Sequence, residues 1–209
     1  MVAKPIKRRS RIRERNEEAI LKAAEVIFAQ RGFGAATTAE IASAAGIPKA
    51  NLHYYFKTKE DLYTHVLENI LTTWLKAADD FDENHDPREA LENYIRTKVD
   101  LSRTRPEASK IFAKEIISGA PFLKKHLQDD INPWMDAKIK IINGWIEQGK
   151  MGPVDVPHMF FLIWSMTQTY ADFSTQMEIV LKKDKLDQKD FDTAANMIVS
   201  SIFSLCNLN

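Results

Sequence analysis

Apolar residues in this chain recur at spacings of three and four, and nowhere do they sustain a one-for-one alternation with polar residues. That period belongs to helices, so the core must be built from helix faces. The expected fold class is all-α, with about nine helices. A first helix is expected over 14–31, where Ile20, Ala23, Ala24, Ile27 and Phe28 share a face and Gly32 ends the run. Thr38 is placed to cap a short second helix carrying Ile41, Ala42 and Ala45, closed by Gly46. Pro48 suits the first turn of a third helix that buries Leu52, Tyr55 and Phe56. Thr58 with Asp61 opens a longer fourth helix through Leu62, Val66, Ile70 and Trp74. Three short helices with a tight turn at Gly46 describe a helix-turn-helix unit.

The remainder is punctuated by Pro87, Pro106, Gly119-Ala120-Pro121, Pro133, Gly152-Pro153 and Pro157. Helical stretches are expected near 87–103, 106–118, 121–149, 157–181 and 187–207, with a solvated charge run over 182–190. Charge divides along the same line. The chain is neutral overall, with 29 basic and 29 acidic side chains, yet residues 1–60 carry a net +6 and residues 61–209 a net −6. A basic front on an acidic body points to a nucleic-acid-binding head. The organisation expected is a basic arm over 1–13, a helix-turn-helix domain over 14–60, and an effector-binding and dimerisation domain over 61–209.

Several classes of protein are excluded by what the residues lack. A single cysteine, Cys206, permits no internal disulfide framework and fits a reducing cytoplasm. The N-terminal residues have no apolar core of a secretory signal, and the run from Val156 to Ala171 is too short and too polar to span a bilayer. A soluble, cytoplasmic protein is expected. The histidines, His53, His65, His85, His126 and His158, form no pair at metal-ligand spacing, and there is no H-E-x-x-H, P-loop or G-x-S-x-G motif. No enzyme activity, metal or cofactor is expected. A helical enzyme or a protein-interaction module with a chance basic patch is the competing class.

If the third helix is pinned by Leu52, Tyr55 and Phe56, then Lys49, Ala50, Asn51, His53 and Tyr54 lie on its outer face and N-terminal end. Such a helix in a major groove presents its first residues to base edges, with Asn51 able to pair with adenine and Lys49 with guanine or phosphate. Thr38 and Lys59, at the starts of the second and fourth helices, are placed for phosphate contacts. Lys7, Arg8, Arg9, Arg11 and Arg13 form a basic stretch, either a backbone- or minor-groove-binding arm or a solubilising tail. The segment TTAEIASAAGIPKANLHYYFKTKEDL, residues 37–62, resembles the DNA-binding head of the tetracycline-repressor (TetR) family of bacterial regulators. That resemblance implies a dimeric regulator on double-stranded, palindromic operator DNA.

Within that family, residues 94–123 and 145–176 resemble the regulatory domains of pyrimidine-utilisation repressors. The resemblance implies a small planar nucleobase-like effector such as uracil or thymine. An unrelated apolar or drug-like ligand is the alternative. Trp74 and Trp164 offer flat surfaces, and Gln168, one turn after Trp164, offers both a donor and an acceptor. Either tryptophan could instead be core, and Gln168 could bond across a dimer interface. Phe112 and Glu115 are further lining candidates, with Glu115 alternatively a buried structural partner for a backbone or basic group. The last two helical stretches are expected to form a homodimer through surplus apolar residues: Phe160, Phe161, Ile163, Trp164, Met166 and Tyr170 on one, Phe191, Ala195, Ile198, Ile202 and Leu205 on the other. Burial of both helices in a monomer core is the alternative.

Overall fold

The computed structural model describes residues 6–79 and 81–208, with side chains from Arg13 onward. Every regular element among the described residues is helical. Helix α1 spans Ile6–Ala35, with Gly32 at φ 73° and ψ 165° breaking its regularity. It begins well ahead of residue 14, because the stretch KRRSRIRER holds good helix formers but no apolar period to announce them. The side chains of Arg8, Arg9 and Arg11 lie outside the described residues.

Helix α2 spans Thr38–Ala44, and its cap is Thr37 rather than Thr38. Thr37 and Glu40 stand at the spacing of a capping box: Glu40 N donates to Thr37 Oγ1 at 3.2 Å, and Thr37 N donates to Glu40 Oε2 at 3.0 Å. Thr38 has no acidic partner three residues on. Gly46, at φ 68°, makes the left-handed turn into α3 (Lys49–Tyr55). Thr58 caps α4 (Lys59–Lys76) by accepting from Asp61 N at 3.0 Å.

Helices α5 (Pro87–Thr104) and α6 (Pro106–Ile117) meet at Arg105. The single helix expected over 121–149 is instead α7 (Lys124–His126), a π-helical turn (Leu127–Ile131) and α8 (Asn132–Glu147). The one expected over 157–181 divides at Phe173 into α9 (Val156–Asp172) and α10 (Ser174–Leu181). Neither Gly nor Pro marks that second break, so the local sequence carries no signal of it. Helix α11 (Gln188–Leu205) is capped by Asp187 and Asp190.

Two apolar cores hold the chain together. One collects Ile20, Phe28, Ile41, Leu52 and Phe56 of the head with Leu67 and Ile70 of α4, and it also takes in Ala108 and Ile111 of α6. Polar contacts reinforce that junction: Arg105 Nη2 donates to Glu25 Oε2 at 2.6 Å, and Lys114 Nζ to the Ala29 carbonyl at 3.0 Å. The second core packs Phe81, Tyr94, Trp145, Phe160, Ile198 and Ile202 from α5, α8, α9, α11 and the α4–α5 link. Side chains of this size contribute about 1.5–3 kcal/mol each when fully buried. Among the described residues no helix is long and apolar enough to cross a membrane.

Candidate nucleic-acid interface and effector cavity

The outward face of α3 forms because its inward face is anchored. Leu52 and Phe56 are buried, and the Tyr55 hydroxyl accepts from Asn16 Nδ2 of α1 at 3.1 Å. Lys49, Ala50, Asn51, His53 and Tyr54 are all exposed, and Tyr54, at 73% exposure, is an aromatic ring standing in solvent. A monomeric protein gains nothing from holding such a ring in water, whereas a groove-reading helix can use it. Thr38 is the first residue of α2 and is half-buried.

Lys59 departs from its expected role as a phosphate contact. Its ammonium donates to the carbonyls of Phe33 (2.8 Å), Gly34 (3.3 Å) and Ala36 (3.1 Å), and it lies 4.5 Å from the centre of the Phe33 ring. All three protons are used in closing the C-terminal end of α1, so Lys59 is a pin within the head. Lys59→Ala is therefore expected to cost about 1.5–3 kcal/mol of stability, read as a lower melting temperature, with the salt slope of DNA binding unchanged. A flatter slope with unchanged melting would return Lys59 to the phosphates.

Between α4, α5, α6 and α9 lies a cavity of about 580 Å³. Trp74, Phe112, Trp164 and Gln168, expected to share a site, all line it. Trp74 meets Phe112 edge-on, with ring centres 4.6 Å apart. Trp164 Nε1 donates to the Tyr94 hydroxyl at 2.7 Å, which fixes the indole plane. The π-helical turn supplies Leu127, Gln128 and Ile131 to the rim, and such turns often mark functional sites.

Glu115 is absent from this lining. It is buried at 3% exposure, and Oε1 accepts from the backbone of Phe122 (2.7 Å) and Leu123 (3.1 Å). This is the structural alternative weighed for it, and it corrects its place among the effector contacts. Together with burial, its carboxylate pushes the neighbouring Tyr63 hydroxyl up to about 12.

Among the cavity residues that the sequence reading did not name are Tyr94 and Lys98. Lys98 is buried at 3% exposure, and its Nζ stands 4.2 Å from the centre of the Trp74 ring. Burial drives its pKa down to about 7, against the opposing pull of Asp172. A signal for it existed. Leu91, Tyr94, Ile95, Lys98, Val99 and Ser102 form one buried face of α5, in which the lysine is the charged residue.

The surface expected to form the dimer changes in composition. Phe160, Ile163, Phe191, Ala195, Ile198 and Ile202 are buried within the chain's own core and cannot face a partner. The exposed large apolar residues of these stretches are Phe161 and Leu162 on α9, Phe173 at the α9–α10 break, Ile179, Val180 and Leu181 on α10, and Met197 and Leu205 on α11.

A helix-turn-helix head, joined through one continuous helix to a helical body that holds a cavity, defines the class of one-component transcriptional regulators. The family model described as "Bacterial regulatory proteins, tetR family" matches residues 20–66, and that described as "YcdC-like protein, C-terminal region" matches residues 67–209. The HTH-type transcriptional regulator RutR of Escherichia coli (strain K12) is 42% identical over 185 residues, covering 88% of this chain and 87% of the relative. The HTH-type transcriptional repressor NicS of Pseudomonas putida is 24% identical over 182 residues, covering 84% and 85%. Among solved structures, a TetR family transcription regulator from Marinobacter aquaeolei VT8 superposes with a TM-score of 0.70 at 20% identity, covering 92% of this chain and 97% of that one. The chain belongs to the TetR family of bacterial transcriptional regulators. Its relatives are named as regulators, and it is a regulator and not an enzyme.

Proposed function

We propose that this regulator is a homodimeric repressor that binds a palindromic operator and is released by a small planar pyrimidine-like effector, uracil or thymine. The observation that carries the reading is the meeting of Trp74, Trp164 and Gln168 around one cavity, with Trp74 on the helix that begins at the head. Two indoles suit a flat ring, and an amide suits its alternating donor and acceptor edge. The resemblance of residues 94–123 and 145–176 to pyrimidine-utilisation repressors supports the same class of effector.

A ligand that fits best with α4 in one orientation changes the separation of the two recognition helices. In the dimer they must sit about 34 Å apart to read successive major grooves. Phe161 and Leu162 of α9, with the every-fourth-residue stripe Met197, Ser201 and Leu205 of α11, are the surface that would form the two-fold contact. Lys49, Ala50, Asn51, His53 and Tyr54 would read bases, and Thr38 with the basic stretch containing Arg8, Arg9 and Arg11 would follow the backbone.

The experiment that tests the reading is selection and sequencing of genomic fragments retained by the purified protein, with and without uracil or thymine. Retention of a palindromic site that either base releases is the expected result. Asn51→Ala is expected to relax preference at one base pair of that site, at a cost of about 1–3 kcal/mol. Uniform weakening over all sequences would remove Asn51 from base reading. Retention of the site unaffected by either base would leave the repressor and overturn the effector.

A further inference from the structure

A buried amine at the end of a lysine is costly unless something compensates it, and in this fold the compensation is incomplete. Among the described residues the Lys98 ammonium makes no hydrogen bond or ion pair, and its Nζ stands over the face of Trp74, 4.2 Å from the ring centre. It lines the cavity while 3% exposed. The amides of Gln128, Asn132 and Gln168 in the same lining each bring as many donor protons as acceptor lone pairs, so they do not offset the ammonium. Tyr94 accepts from Trp164 Nε1 at 2.7 Å and keeps its own O–H proton to give. The interior of the cavity thus has more protons to give than lone pairs to receive them.

The charged and titratable groups facing Lys98 do not fill that gap. From α9, Asp172 attracts it, but Asp172 Oδ1 already accepts from Ser109 Oγ of α6 at 2.7 Å. Lys110 of α6 draws on the same carboxylate. On α5 itself, burial pushes the Tyr94 hydroxyl further up, so it stays protonated. From α4 comes only the indole of Trp74, and Lys124 of α7 lines the same cavity.

The structure assigns Lys98 as an effector-recognition group: its ammonium takes an oxygen of the bound molecule, so the cavity selects planar rings bearing an exocyclic oxygen and takes up a proton when one binds. The assignment rests on the effector cavity proposed above, though not on the effector being a pyrimidine. The free amine titrates near 7, and an oxygen accepting from it favours the charged form and raises that value in the complex. Affinity is then full below about pH 7 and falls about tenfold for each unit above it, until the pKa of the complex is reached.

The test is calorimetric titration of the dimeric protein at pH 6 and pH 8.5, each in two buffers of different ionisation enthalpy, with uracil, benzoate and toluene as probes. Lys98→Met, which keeps the stem and removes the charge, is run beside the wild type, with its fold checked by circular dichroism. Expected are weaker uracil binding at the higher pH, uptake approaching one proton per site there, and loss of both effects in Lys98→Met. If that variant fails to fold, proton uptake by the wild type decides the matter alone. Benzoate binding with the same proton uptake, and no uracil binding, upholds Lys98 and overturns the pyrimidine effector. Uracil binding without uptake, equal in Lys98→Met, overturns Lys98 and leaves the pyrimidine. Binding of toluene only, or of none of the three, overturns both.

Discussion

Replacing Gln168 with leucine is expected to remove the response to effector while leaving operator affinity as it was. The amide lines the cavity on the helical face of Trp164, distant in sequence and role from the exposed residues of α3. Leucine keeps most of the volume but leaves a donor–acceptor edge of the ligand unpaired inside a largely apolar site. The cost is about 1–3 kcal/mol, a five- to 150-fold rise in the effector concentration needed for release. Anisotropy of a labelled operator, titrated with uracil in the presence of wild type or variant, measures both quantities together. Half-release at an unchanged concentration would make Gln168 structural. Linkage adds a check, since operator DNA must weaken effector binding by the same factor that effector weakens operator binding.

The largest loss of stability is expected from Trp145→Ala. Trp145 is fully buried in the body core, beside Phe81 at a centroid distance of 5.7 Å. Deleting an aromatic side chain from such a site costs about 3–5 kcal/mol. At about 2–4 °C per kcal/mol for a chain of this size, the transition should fall by roughly 6–20 °C. Trp145→Phe is expected to lose less than half as much. The indole N–H of Trp145 has no hydrogen-bond partner among the described residues, so removing it relieves an unsatisfied donor even as it opens some space. Urea unfolding of the three proteins gives the ordering, and a phenylalanine variant as unstable as the alanine one would show that the N–H is satisfied.

The helix-turn-helix could be read from the chain because its determinants are neighbours. Gly46 supplies a left-handed turn, Leu52 and Phe56 recur at the helical spacing, and Thr58 caps α4 three residues before Asp61. Each of these acts over four residues or fewer, so no knowledge of the fold is needed to see it. The pairing of Trp74 with Trp164 was read from two flat side chains on helices expected to face each other and strengthened by family likeness, since nothing local brings residues ninety apart to one cavity.

Other features were decided by the tertiary structure alone. The division of α9 from α10 at Phe173 has no breaker residue to mark it. Lys59 looks in sequence like any basic residue at a helix start, and only the return of α1 to the same place puts three carbonyls around its ammonium. The same holds for the exposed and buried halves of α11. Its apolar residues satisfy a helical period on two faces, and which face is covered depends on where α5 and α9 lie. Periodicity, caps and turns are properties of adjacent residues, and the sequence by itself determined an all-helical regulator with a DNA-reading head. The partner that a charged or apolar side chain meets across the core is a property of packing, so the surroundings of Lys59, Lys98 and Glu115 were decided only when distant helices came together.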